Sequence, residues 1–170
     1  MLVNGKSVGV QKNNTETSKR NVIFWKDVPY AAGKIVAIAK DASGKEVARH
    51  ELQTTGEAVA LKMETENAGW KADGMDLQYI KVYAVDKEGR VVPTFKGEAT
   101  FDISGEAKLI ALDNGDHSSD ELFSGNQRTM YRGFAMAILR AKQTPGKVNV
   151  KVLVKGLKAA EKTLQTITPK

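Results

Sequence analysis

Short runs of alternating apolar and polar residues, many of them closed by a glycine turn, recur along most of this chain. A period of two places successive side chains on opposite faces, which is the pattern of a half-buried β-strand. The clearest run is 77–85, where the odd-numbered side chains point one way and Gln78, Ile80, Val82 and Ala84 point the other. The pattern predicts an all-β protein.

Turn residues arrange these runs into antiparallel hairpins. Asn4-Gly5 supplies the two positive-φ positions of a type I′ turn in the opening hairpin, Leu2–Val8. Asp41–Gly44 connects two strands of a second hairpin, and Asp86–Arg90 repeats the same turn chemistry later in the chain. The repetition predicts two similar modules, residues 1–57 and residues 58–170.

Other segments are less regular. Residues 128–142 are rich in helix formers, but large and mostly small side chains alternate from Phe134 to Leu139, which favours a strand. A single helical turn is predicted at Ser119–Phe123, because a serine can cap it and acidic residues favour the N-terminal dipole. Residues 14–20 are predicted to form a polar loop. The remaining strands are predicted at sandwich spacings: from residue 22, 34–40, 45–54, 58–65, 99–103, 108–112, 133–140, 147–154 and 164–167.

Composition removes several classes of protein. Apolar residues make up 41% of the chain and charged residues 27%, which suits a folded domain and not a disordered tail. The chain has no cysteine, which excludes disulfides, thiolate metal sites and a cysteine nucleophile. No apolar run has the length of a membrane span and no signal pattern opens the chain, so we expect no membrane insertion.

The net charge of +6 does not point to nucleic acid. Residues 1–57 carry nine basic and six acidic side chains, and residues 58–170 carry seventeen and fourteen, so each part has a charge of +3. The basic residues are mostly scattered lysines, whereas nucleic-acid sites cluster arginine with aromatic side chains. We expect a solvated surface and no nucleic-acid partner.

One polar loop, 113–121, is the most pointed candidate for chemistry. Asp113, Asp116 and Asp120 could supply oxygen ligands to calcium, although their spacing does not match an EF-hand loop. The alternative is a set of local turns in which these side chains bond backbone amides. His50 and His117 lie far apart in sequence, and no nucleophile-elbow, zinc-protease or nucleotide-binding motif occurs, so no catalytic or cofactor-binding residue is predicted.

Aromatic residues offer a second candidate site. An exposed indole or phenol ring can stack on a sugar, whereas a buried ring fills a sandwich core. We expect Trp25 to lie in the core, and the sequence leaves both interpretations open for Trp70. Tyr79, on a predicted strand, is the other candidate for sugar stacking.

Specific motifs in both parts of the chain resemble one known family. Residues 2–9, 28–30 and 33–57 resemble the immunoglobulin-like module that follows the catalytic barrel in bacterial family 2 glycoside hydrolases of the β-galactosidase type. The second part resembles the family's C-terminal domain through these segments: 71–77, 85–86 with Gly89, 92–93, 113–116, and 123 through 128 to 133.

The resemblance implies two tandem immunoglobulin-like antiparallel β-sandwich modules, the first incomplete at its N-terminus. The family's catalytic glutamates lie in a barrel that this chain does not contain, so no catalytic residue can be carried over. The implied function is a non-catalytic accessory region that braces the barrel of a retaining β-galactosidase, in a periplasmic or extracellular parent. A carbohydrate-binding module and an adhesin-type immunoglobulin-like repeat remain alternatives.

Overall fold

The computed structural model describes residues 1–13, 22–66 and 68–169, and in these residues it contains strands, turns and loops but no helix. It follows that no described helix is long and apolar enough to cross a membrane. The chain divides into two compact units, Met1–Thr54 and Thr55–Lys170. All strand pairs within the described sheets are antiparallel.

The first unit contains one described sheet of four strands in the order β2-β1-β3-β4. These strands are Leu2–Val3 (β1), Lys6–Ser7 (β2), Lys34–Lys40 (β3) and Glu46–Gln53 (β4). The predicted opening hairpin is confirmed, since Asn4 and Gly5 have φ angles of 49° and 80°. The Asn4 side chain also accepts a hydrogen bond from the Lys34 amide at 2.7 Å, which joins the hairpin to β3.

The second unit is a sandwich of two four-stranded sheets, ordered β5-β6-β10-β8 and β12-β11-β7-β9. Between the sheets lies one core whose largest apolar members are Trp70, Phe101, Ile80 and Leu112. The all-β sandwich fold predicted from the sequence is therefore confirmed. The strands are Ala60–Thr65 (β5), Leu77–Val85 (β6), Glu98–Gly105 (β7), Ala107–Asp113 (β8), Gln127–Thr129 (β9), Phe134–Ala141 (β10), Lys147–Val154 (β11) and Ala160–Gln165 (β12).

Side-chain alternation predicts which face of a strand is buried. Gln78, Ile80, Val82 and Ala84 on β6 are buried, and the alternate residues from Leu77 to Tyr83 are half-buried on the other face. The predicted strand 133–140 corresponds to β10, so tertiary packing overrides the helix propensity of this segment.

Two local predictions are wrong. Residues 22–25 are not a strand. The Phe24 carbonyl accepts a hydrogen bond from the Gln11 side chain, and the Trp25 indole donates one to the Gly9 carbonyl. Residues 119–123 form no helical turn, because the Phe123 carbonyl accepts from the Leu112 amide of β8.

Most strand ends differ from the prediction by no more than two residues, and two strands differ more. The last strand is Ala160–Gln165, earlier than the predicted 164–167, and Ile167 forms only an isolated bridge with Lys71. The short strand β9 was not predicted, since its three residues are too few to show a period. The predicted loop 14–20 lies outside the described residues.

Candidate functional site

The loop between β8 and β9 is organised by local hydrogen bonds. Oδ1 of Asp113 accepts from the amides of Asn114 and Gly115 at 2.7 and 3.1 Å. Oδ1 of Asp116 accepts from the amide and hydroxyl of Ser118 at 3.0 and 2.7 Å. These bonds, with the hydroxyl contribution largest, hold the pKa of Asp116 below its ordinary value although burial opposes them.

The carboxylates proposed as calcium ligands are not brought together. Asp120 is exposed, and Asp113 and Asp116 each serve their own turn. Across the described residues, no three His, Cys, Asp or Glu side chains are grouped so that they could hold a metal ion. The bonds of Asp113 and Asp116 are those of the alternative interpretation, in which acidic side chains cap local backbone amides.

Arg128 is the buried centre of this loop, with 1% of its surface exposed. Nη1 donates to the Glu121 carbonyl at 2.8 Å and Nη2 donates to Oδ1 of Asn114 at 3.2 Å. The Phe123 ring covers the guanidinium, with its centroid 5.1 Å from Cζ. Nε makes no hydrogen bond and lies 3.6 Å from Oε2 of Glu121. One arginine therefore bonds both the start and the middle of the loop.

Glu121 connects the same loop to β9. Its Oε1 accepts from the hydroxyl and amide of Thr129 at 2.7 and 3.0 Å. The bond from the Thr129 hydroxyl is the main cause that holds the pKa of Glu121 below its ordinary value, against the opposing effect of burial. A carboxylate held ionised in this way is a structural acceptor and not a general acid.

The sequence analysis missed the role of Arg128. The sequence carried no usable signal, because the three residues of β9 are too few to show which side chain faces the core. An arginine on the inward face of a strand needs carbonyl or carboxylate partners, and Glu121 lies seven positions earlier in the chain.

Trp70 belongs to the core and does not offer a stacking platform. Only 1% of its surface is exposed, and its Nε1 donates to the Asp76 carbonyl at 3.0 Å. The sugar-stacking hypothesis for Trp70 is therefore wrong, because no ring face reaches solvent. The expectation that Trp25 lies in the core is also wrong, since Trp25 is half-buried and bonds the Gly9 carbonyl. Tyr79 is half-buried on the outward face of β6.

Asp86 is a buried carboxylate that closes the turn after β6. Its Oδ1 accepts from the amides of Glu88 and Arg90, and its Oδ2 accepts from the Gly56 amide at 3.0 Å. Burial opposes ionisation, but the bonds from Arg90 and these amides hold the pKa of Asp86 well below its usual range. The Asp86 carboxylate therefore joins Gly56, at the start of the second unit, to the turn that follows β6.

Asp41 makes the corresponding turn in the first unit. Its Oδ1 accepts from the amides of Ser43 and Lys45, which are the same positions, two and four residues on, as in the Asp86 turn. The similarity between the two hairpins therefore has one physical basis, an aspartate that caps its own turn.

A shallow hollow of about 270 Å³ lies on the outer face of the sheet β12-β11-β7-β9. Its lining is polar and includes Asp102, Asn149 and Thr163. Glu161 also lines the hollow, and its carboxylate pairs with the Lys151 ammonium group at 2.7 Å. Glu161 therefore belongs to a surface ion pair of this sheet.

Comparison with known proteins assigns the sandwich to a family. Residues 61–163 match the family described as glycoside hydrolase family 2 C-terminal domain 5, and residues 1–48 match a domain of unknown function, DUF4982. The first match covers more than half of the chain. This all-β chain belongs to the C-terminal region of the family 2 glycoside hydrolases.

Similar proteins are much longer than this chain. A β-galactosidase of Bacteroides ovatus is 28% identical over 94% of the chain, and a β-glucuronidase of Formosa agariphila is 30% identical over 98%. The matches span 18% and 17% of those two proteins.

Solved structures also match this chain to one part of a longer protein. The crystal structure of a family 2 member from Bacteroides cellulosilyticus superposes with a TM-score of 0.92 at 30% identity, covering 98% of this chain and 21% of that one. A family 2 β-glucuronidase superposes with a TM-score of 0.87 at 27% identity, covering 99% of this chain and 17% of that one. The chain therefore spans about a fifth of the proteins that it matches.

Proposed function

We propose that this chain is a non-catalytic C-terminal region of a longer family 2 glycosidase and that it braces the catalytic barrel. The observation that carries the proposal is the pair of coverages: 98% of this chain superposes on the Bacteroides cellulosilyticus structure but accounts for 21% of it. By analogy with the B. ovatus relative, the parent is a retaining β-galactosidase.

The polar groups of the second unit support a structural role. Arg128 and Glu121 form hydrogen bonds with the β8–β9 loop and with β9, and Asp86 accepts hydrogen bonds from turn amides. These charged groups therefore stabilise the local backbone structure. A rigid sandwich packed against a second domain stabilises that domain, because unfolding of either then also costs the interface.

Deletion of residues 1–170 from the full-length parent tests the proposal. The expected result is an unchanged KM for a chromogenic β-galactoside with a shorter half-life of activity on heating. The isolated chain should hydrolyse neither β-galactosides nor β-glucuronides. Hydrolysis by the isolated chain at an enzyme-like rate, or a parent whose half-life is unaffected by the deletion, would overturn it.

Sugar titration tests the alternative function. A brace gives no saturable signal with galactosides, whereas a carbohydrate-binding module does. The proposal also includes a periplasmic or extracellular location of the parent, which fractionation of cells tests.

A further inference from the structure

The two outer faces of the second unit differ in chemistry. The sheet β12-β11-β7-β9 shows the usual outward pattern, in which polar side chains alternate with core residues. Leu153, which is 42% exposed, is an apolar exception on β11. The outward residues of β7 and β11 are otherwise Glu98, Thr100, Asp102, Ser104, Lys147, Asn149 and Lys151.

The opposite sheet has an apolar outer face at its centre. Tyr79 and Tyr83 on β6 and Phe134, Met136 and Ile138 on β10 all point away from the core and are half-buried. In the strand register Tyr83 is paired with Phe134 and Tyr79 with Ile138, while Met136 is paired with Lys81. The five side chains therefore lie around one lysine, with the three of β10 in a row. We call these five residues the aromatic face.

The aromatic face has the composition of a protein interface. Tyr, Phe and Met are enriched at the centre of interfaces between proteins, where flat apolar surface is removed from water. A sugar platform fits less well, because the rings of Tyr83 and Phe134 are tilted by 41° at a centroid separation of 5.4 Å. The hollows of about 270 and 430 Å³ have other linings, so neither provides a small-molecule pocket here.

Charges within and beside the aromatic face define its occupant further. Lys81 lies on β6 between the two tyrosines, opposite Met136, and pairs with Glu66. At the β5 border Lys62 pairs with Glu64 at 2.8 Å, so both lysines are compensated.

On the β8 side, Arg140 stands directly opposite Lys108, and within the described residues neither forms an ion pair. Like charges opposite each other on neighbouring strands destabilise a sheet. A carboxylate from a partner would remove that repulsion.

We propose that the aromatic face docks this chain onto the remainder of the longer glycosidase, on an apolar patch that carries carboxylates facing Arg140 and Lys108. This inference rests on the proposed function, and it names the surface through which the brace acts. The chain spans about a fifth of its solved relative, so most of such a protein is polypeptide that could provide the patch.

The test compares two substitutions in the full-length parent. Met136→Lys places a charge in the aromatic face, and Leu153→Lys makes the same apolar-to-lysine change on the outer face of the other sheet. Met136→Lys should shorten the half-life of activity on heating roughly tenfold, because an unpaired charge is then buried at the interface. Leu153→Lys should change it less than about twofold, as expected of a solvent-facing site.

Measurements on the 170-residue chain separate docking from folding. Leu153→Lys should keep the melting temperature of the chain within about 2 °C, because a lysine on an outward face can keep its charge in water. Met136→Lys places its lysine opposite Lys81 and should lower the melting temperature by no more than about 4 °C. A loss of stability in the parent beyond that seen in the 170-residue chain therefore reports the docking contact. Arg140→Glu should also shorten the parent's half-life, and less so at high salt.

Each adverse result has a distinct meaning. If deletion of the chain shortens the half-life but Met136→Lys behaves like Leu153→Lys, the docking surface is wrong and the brace stands. If the deletion itself has no effect, the proposed function is wrong. If the isolated chain dimerises and Met136→Lys abolishes the dimer, the occupant is a second copy; if it binds galactosides and Met136→Lys abolishes binding, the occupant is a sugar. Both overturn the inference.

Discussion

Replacing Arg128 by alanine should destabilise the second unit strongly. The substitution removes the donors to the Glu121 carbonyl at 2.8 Å and to Asn114 at 3.2 Å, and it leaves space beneath the Phe123 ring. Removing one partner of a buried ionic network costs about 3–5 kcal/mol. Because Glu121 is one-third exposed, with 34% of its side-chain surface in solvent, water can replace part of the lost interaction. We therefore expect a cost near the lower end, about 3 kcal/mol.

Thermal unfolding followed by near-UV circular dichroism measures this loss. For a domain of this size, about 3 kcal/mol corresponds to a fall in melting temperature of roughly 12 °C. Arg132→Asn is the matched control, since the Arg132 guanidinium also lies over an aromatic ring, 5.4 Å from the Tyr131 centroid, but is exposed. Asparagine also tolerates the positive φ of 50° at this position.

The lysine variant separates charge from geometry. Arg128→Lys keeps the positive charge but cannot reproduce the fork that reaches both Asn114 and the Glu121 carbonyl, so its melting temperature should lie between those of the native chain and Arg128→Ala. If Arg128→Ala unfolds within about 2 °C of Arg132→Asn, the loop does not depend on the buried guanidinium and the reasoning fails.

Three further outcomes can be measured on the same chain. The ionised carboxylate of Asp86 is stabilised by folding, so its contribution is present above the unfolded pKa of about 3.9 and is lost as the pH falls below it; the difference in melting temperature between the native chain and Asp86→Asn should be large at pH 7 and shrink below pH 4. Gly105→Ala should lower the melting temperature more than Gly156→Ala, since both have positive φ but only at Gly105 would a Cβ strike the Lys147 carbonyl oxygen; equal losses would contradict the steric argument. Iodide should quench the fluorescence of a Trp70→Phe variant, which retains half-buried Trp25, more than that of Trp25→Phe, which retains buried Trp70; the reverse order would contradict the burial of the indoles.

Strand positions were predictable wherever one strand was long enough to show its period. The strands Leu77–Val85 and Lys147–Val154 begin and end at the residues predicted from alternation alone, because burial of one face imposes a period of two on the sequence. The three residues of β9 are too few to show this period. Residues 119–123 have the sequence of a helix start, and only the hydrogen bond from the Leu112 amide to the Phe123 carbonyl places them otherwise.

The candidate site was less predictable than the strands. The sequence identified the acidic loop and favoured local turns, but it left calcium open as an alternative, since both use the same oxygen atoms. Arg128 lies outside the loop in sequence, and its bonds to Asn114 and to the Glu121 carbonyl exist only after β9 has joined its sheet. Which of Trp25 and Trp70 is buried likewise depended on packing residues that are remote from them in sequence.

Alternation, turn residues and composition determined that this chain is all-β, where most strands lie and which side chains face inward, because these properties depend on neighbours one to four positions apart. Only the tertiary structure decided that β10 lies between β6 and β8, that Trp70 is enclosed and Trp25 is not, and that one outer face is aromatic and the other polar. The physical reason is that a single strand specifies its own two faces, whereas the neighbour against which each face is placed is set by the free energy of packing the whole unit.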